Sequence, residues 1–177
     1  MARRAIITLG HPTLKRRAEA VEAFDEDLRT LIADLFETMA EARGIGLAAP
    51  QVDVSRRVIV VDPRAVDPEK GRALALVNPE IVAYAGSTVF EEGCLSIPGL
   101  YTDVRRPEQV TVRYADETGT VREEVFDGIM ARVIQHERDH LDGVLFPDRV
   151  SSLRRAWLLR RYASAPADAG SKHVPAL

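Results

Sequence analysis

Apolar residues recur along this chain in two rhythms. Leu28, Leu31, Ile32, Leu35 and Met39 fall three or four apart and predict one helix over residues 25–42. Asp25 is a fitting N-cap, Glu26 and Asp27 suit the positive end of the helix dipole, and Gly44 is a natural stop. From 57 to 126 the rhythm becomes strand-like. β-Branched runs occur at RVIVVD (57–62), ALALVNPEIVAYAG (73–86, two runs broken at Asn78-Pro79), GLYTDVRRP (99–107), QVTVRYAD (109–116) and TVREEVF (120–126). Val110, Val112 and Tyr114 alternate as one face of a half-buried strand, and Glu117-Thr118-Gly119 marks a hairpin turn. After Asp127 as N-cap, Ile129, Val133, His136 and His140 line one stripe of a second helix that ends at Gly143. A last helix is expected from Ser151 or Ser152 to Ala163. Helices at both ends of a run of short strands predict an α+β fold with antiparallel sheets, not alternating α/β.

Composition narrows the picture. A chain of 177 residues suits one domain, expected over 1–163, and the small, polar stretch 164–177 is expected to be a disordered tail. The net charge of −3 gives no general pull toward nucleic acid or anionic membrane, so neither sequence-specific nucleic-acid binding nor membrane binding is expected. No run of 18 apolar residues occurs, and a cytoplasmic location is expected. Cys94 is the sole cysteine, which excludes an intramolecular disulfide. His11 sits in a Gly-His-Pro turn and is expected to be structural. Arg154, Arg155, Arg160 and Arg161 surround Leu153, Trp157 and Leu158, as a solvated face or a basic docking surface.

The chemistry lies in QHERDHLDG (135–143). His136 and His140 stand one helical turn apart and can share a metal, while Glu137 points aside, toward a water on that metal. A catalytic site needs a third ligand. No glutamate follows Glu137, and Phe146 holds the place where an extended H-E-x-x-H pattern carries a third histidine. Two protease classes are thereby disfavoured. The strong remaining candidate is Cys94 in EEGCLS (91–96), and a thiolate with two imidazoles suits Zn²⁺, Fe²⁺, Ni²⁺ or Co²⁺. GIGLAAPQ (44–51) has almost no side-chain bulk, as a tight connection or as backbone open to a ligand.

Together GIGLAAPQ, EGCLS and QHERDHLDG, in that order, resemble the peptide deformylases. The resemblance implies the α+β deformylase fold, with antiparallel sheets around a central metal-binding helix. It implies a hydrolase that removes the N-formyl group from the formylmethionine of newly made proteins and releases formate. Its metal ligands map onto Cys94, His136 and His140, and its general acid/base onto Glu137. Gln51 and the Leu95 N–H map onto oxyanion stabilisers. Backbone groups of Ile45, Gly46 and Gly93 are expected to pair with the substrate as an added strand. Ile45, Phe90, Ile129, Arg132, Val133 and His136 are expected to line the pocket for its first side chain. One divalent metal is implied, Fe²⁺ in the cell, replaceable by Zn²⁺, Ni²⁺ or Co²⁺. The implied partners are N-formylmethionyl nascent peptides and, through the basic last helix, the ribosome. Glu92 and Arg106 are candidates to brace the Cys94 loop. The chain departs from some members at Tyr101, where they carry arginine, and at Arg132, where they are aliphatic. The Arg132 stem is expected to line the wall with its charged end reaching out.

Overall fold

A computed structural model describes residues 2–164 and Leu177. Helix α1 (Glu26–Glu41) forms where its apolar periodicity lies, and the Asp25 carboxylate caps it by accepting from the Leu28 N–H at 3.0 Å. Helix α2 (Gly128–Leu141) carries both histidines. Asp127 occupies its N-cap position but makes no capping bond with its side chain; it pairs with Lys70 instead. Helix α3 spans Ser152–Ser164. Residues 165–176 of the expected tail lie outside the described residues. Its last residue, Leu177, is buried in the cluster around α2.

Strands β1 (Gly46–Ala48), β2 (Val58–Val61), β3 (Leu74–Ala85), β6 (Gln109–Ala115) and β7 (Val121–Asp127) make one antiparallel sheet in the order β1-β2-β3-β6-β7. β4 (Thr88–Cys94) and β5 (Ile97–Arg106) pair as a separate hairpin. The large sheet is covered on both faces at β2, which explains why that strand reads as an unbroken apolar run, whereas β7 and the end of β3 are largely exposed. Ile59 and Val61 pack with α2 residues Ala131, Val133 and Ile134, while Val58 and Val60 pack with Leu28, Leu31 and Leu35 of α1. Each such buried aliphatic side chain contributes about 1.5–3 kcal/mol. Val110, Val112 and Tyr114 are buried together as their alternation requires.

The break expected at Asn78-Pro79 is absent, and β3 runs through it as one strand. Asn78 takes a left-handed φ of 51° and the ladder with β6 slips there. The Asn78 side chain keeps the chain tied down by exchanging two hydrogen bonds with the backbone of Val21, at 2.8 and 2.9 Å. GIGLAAPQ folds as strand β1 followed by a 3-10 turn at Ala49–Val52. A third apolar cluster joins Cys94, Ile97, Leu100 and Val104 of the hairpin to Leu145, Phe146 and Leu158.

Candidate metal centre

Helix α2 and the tip of the β4–β5 hairpin meet face to face. Cys94 ends β4, and the Cys94↔Ile97 pair closes the hairpin around Leu95 and Ser96. The ligand atoms of Cys94, His136 and His140 all lie within 4.8 Å of one another, and all three residues are buried. Cys94 Sγ is 3.3 Å from His140 Nε2. His136 turns Nδ1 to Glu92 Oε2 at 3.0 Å, which leaves Nε2 on the side of the trio. Phe146, at the place of the missing third histidine, stacks on the His136 ring with centroids 6.1 Å apart.

Four buried polar atoms here have no hydrogen-bond partner: His136 Nε2, His140 Nδ1 and both oxygens of Glu137. An unsatisfied buried polar atom costs about 1–3 kcal/mol, so the open His136 Nε2 and Glu137 oxygens fit a site built for a cation and a polar ligand. The protonation preferences agree. Burial, then the Glu137 charge, pushes the Cys94 thiol up. Burial, then Glu92, holds the Glu137 carboxyl well above the usual carboxylate range. Burial, then His136, holds His140 well below the usual imidazole range. A dication would favour the thiolate and the carboxylate and would match neutral imidazoles. The sulfur and two nitrogens fit Zn²⁺, Fe²⁺, Ni²⁺ or Co²⁺.

The surroundings balance their own charge. Arg106 grips Glu92 with two bonds, Nε to Oε1 at 2.6 Å and Nη2 to Oε2 at 3.0 Å, and reaches Asp139 Oδ2 at 2.9 Å. Burial alone would raise the Glu92 carboxyl, but His136 and Arg106 outweigh it and hold it far below the usual range. Arg149 closes on Asp139 from the other side. Arg132 is turned inward, contrary to the expectation from sequence. It is buried, and its Nη1 meets Glu92 Oε1 at 2.8 Å and Val104 O at 2.9 Å, while Nη2 meets Thr88 O at 3.0 Å. The buried acceptors explain the turn: Glu92 and two strand carbonyls offer partners that open solvent would have to replace.

Gln51 is held by its oxygen, which accepts from the Ala48 N–H at 2.8 Å. Its Nε2 therefore faces Ser96 Oγ at 3.2 Å and Cys94 Sγ at 3.6 Å. The Leu95 N–H follows Cys94 in the chain, and the backbone N–H groups that reach the thiol are those of Ser96 and Ile97. Ile45, Ile129 and Val133 belong to the cluster around α2. Phe90 is 49% exposed, with the Arg132 guanidinium 5.8 Å from its ring centre. β1 is an edge of the large sheet. The Ile45 carbonyl is taken by the Asp62 N–H at 2.8 Å, so strand alternation turns Gly46 outward as the residue free to pair further. Gly93 lies under the Tyr101 ring. His11 caps the Pro12–Lys15 turn through Nδ1, a structural role as expected. Ser96, Asp139 and Arg149 escaped the sequence reading. Asp139 stands inside the histidine motif and Ser96 ends the EEGCLS motif, and those positions were the available clues.

An α+β fold that sets a thiol and two imidazoles around a shared point, with a buried carboxylate beside them, has the make-up of a metal-dependent hydrolase. Known proteins narrow this class. The profile of the polypeptide deformylase family matches residues 3–156. The chain is 45% identical over 166 residues to peptide deformylase 2 of Xanthomonas axonopodis pv. citri, covering 92% of this chain and 96% of that one. In structure it is similar to a peptide deformylase of Legionella pneumophila (TM-score 0.83, 45% identity, 93% and 100% of the two chains covered). It is also similar to one of Synechococcus elongatus in complex with actinonin (TM-score 0.84, 44% identity, 95% and 91% covered). The chain belongs to the polypeptide deformylase family, hydrolases that remove the N-formyl group from nascent peptides. Among the described residues no helix is long and apolar enough to cross a membrane.

Proposed function

We propose that residues 1–163 form one catalytic domain in which Cys94, His136 and His140 hold a single divalent metal. In the cell this metal is Fe²⁺, and Zn²⁺, Ni²⁺ or Co²⁺ can replace it. The observation that carries this proposal is the convergence of the three ligand atoms within 4.8 Å beside an unpartnered Glu137. A divalent cation held there supplies Lewis acidity and brings the pKa of a water toward neutrality.

The chain's own residues do the rest. Gly46 and Gly93 receive the substrate backbone at strand edges, with Ile45 beside them. Phe90, Ile129, Val133 and the aliphatic stem of Arg132 line the pocket for the formylmethionine side chain. Glu137 accepts the proton of the attacking water and returns it to the departing amine. Gln51 Nε2 and the Leu95 N–H donate to the oxygen that gains charge as the formyl carbon becomes tetrahedral. Formate and a free N-terminus leave.

The enzyme works in the cytoplasm at the ribosome, docked through α3. Support comes from Leu153, 79% exposed, and Trp157, 44% exposed, with the Arg154 and Arg161 guanidiniums 4.8 and 5.3 Å from the Trp157 ring centre. Arg160→Glu with Arg161→Glu should abolish co-sedimentation with ribosomes and leave peptide turnover intact.

The central test is formate release from formyl-Met-Ala-Ser, with metal analysis on the same anaerobically purified sample. One metal per chain is expected, and Cys94→Ala should lose metal and activity together. Turnover by metal-free protein would sink the proposal.

A further inference from the structure

Arg132 and His136 stand one turn apart on α2, and both reach the same carboxylate. Glu92 thus bridges one turn of the helix, Oε1 to Arg132 and Oε2 to His136. With Arg106 on both oxygens, Glu92 makes four polar contacts, about the full capacity of a carboxylate. Arg106 comes from β5, fixes the plane of Glu92 and is tied to α2 only beyond His136, through Asp139 Oδ2 at 2.9 Å. Arg132 supplies the second tie to α2. It is rooted on the helix and also donates to Val104 O of β5 and Thr88 O of β4.

We propose that Arg132 is a positioning residue for the metal centre: it fixes Glu92 along α2 and so sets the ring orientation of His136. The proposal rests on the metal site proposed above. The physical reason is that a histidine ligand is aimed by whatever holds its other nitrogen. Here that holder is itself shared with a guanidinium one turn earlier on the same helix. Loss of Arg132 would leave Glu92 with one donor fewer and His136 with a holder tied to α2 on one side only, through Arg106 and Asp139.

The test uses the full chain, stripped of metal and titrated with Co²⁺ against a competing chelator. Arg132→Met keeps the stem and removes the donors. It should weaken Co²⁺ binding about tenfold and shift the visible Co²⁺ absorption bands, in protein whose circular dichroism is unchanged. Arg132→Lys, a point charge able to reach one acceptor, should recover part of the affinity. In a Glu92→Gln background, Arg132→Met should add no further loss. A lower melting temperature with unchanged Co²⁺ affinity and spectrum would overturn the proposal and leave Arg132 as scaffold only. Losses that multiply independently with Glu92→Gln would overturn it too. A wild-type chain that binds Co²⁺ no better than Cys94→Ala would overturn the metal site itself, and this proposal with it.

Discussion

Gly46 touches Glu137 so closely that no other residue fits there. A Cβ on Gly46 would lie 2.5 Å from Glu137 Oε1 and 2.7 Å from Val133 Cγ1. Edge strand and the proposed proton carrier are therefore one packed unit. Gly46→Ala should displace Glu137 or push β1 away. An ångström of misplacement costs on the order of 100-fold in rate, so kcat for formate release should fall by about that factor with metal content unchanged. Activity within twofold of wild type would show that the position of Glu137 is immaterial.

Glu137→Gln keeps the shape of the side chain and removes its capacity to carry a proton. Turnover of formyl-Met-Ala-Ser should drop by about 10²–10⁴-fold. Metal analysis should still find the site filled, since Glu137 is not among the three ligands. Unchanged turnover would mean that the proton travels another way.

Gly143 ends α2 with φ of 71°, and a Cβ there would stand 2.5 Å from the Lys15 carbonyl oxygen. Backbone is in the way, not the tip of a flexible side chain. Gly143→Ala should destabilise the fold by about 2–3 kcal/mol in urea unfolding, whereas Gly10→Ala, with open space around its Cβ, should suffer only the strain of its own positive φ.

Tyr114 donates to Glu124 Oε1 at 2.5 Å, and burial, then this bond, pushes its phenol from 10 up to about 12. The folded chain thus keeps a proton that the unfolded chain has already lost. Below pH 10 this contribution to stability is fully present, and it is lost as pH rises through about 12. Denaturant midpoints should therefore decline across that window, and Tyr114→Phe should flatten the decline. A slope identical in the variant would assign it to other groups.

Much of this was legible along the chain. α1 was readable because its five apolar positions repeat on one face, and Cys94, His136 and His140 because each sits in a compact motif. Glu92 and Arg106 were expected near Cys94, and they are ion-paired there. What sequence could not supply depends on distant partners. The continuity of β3 through Asn78 relies on the backbone of Val21, 57 positions away. The inward turn of Arg132 relies on Glu92, Thr88 and Val104, none of them near it in the chain. The division of the strands into two sheets likewise follows from pairing, on which local alternation is silent.

The third cluster has a further consequence. Cys94, Phe146 and Leu158 share it, so the last helix joins the thiol's apolar cluster through its one buried residue, Leu158. Leu158 ties α3 to the Phe146 turn and the hairpin, a unit expected to open cooperatively. Amide exchange at Leu158 should then slow when a metal fills the centre, because Leu158 and Cys94 belong to the same cluster.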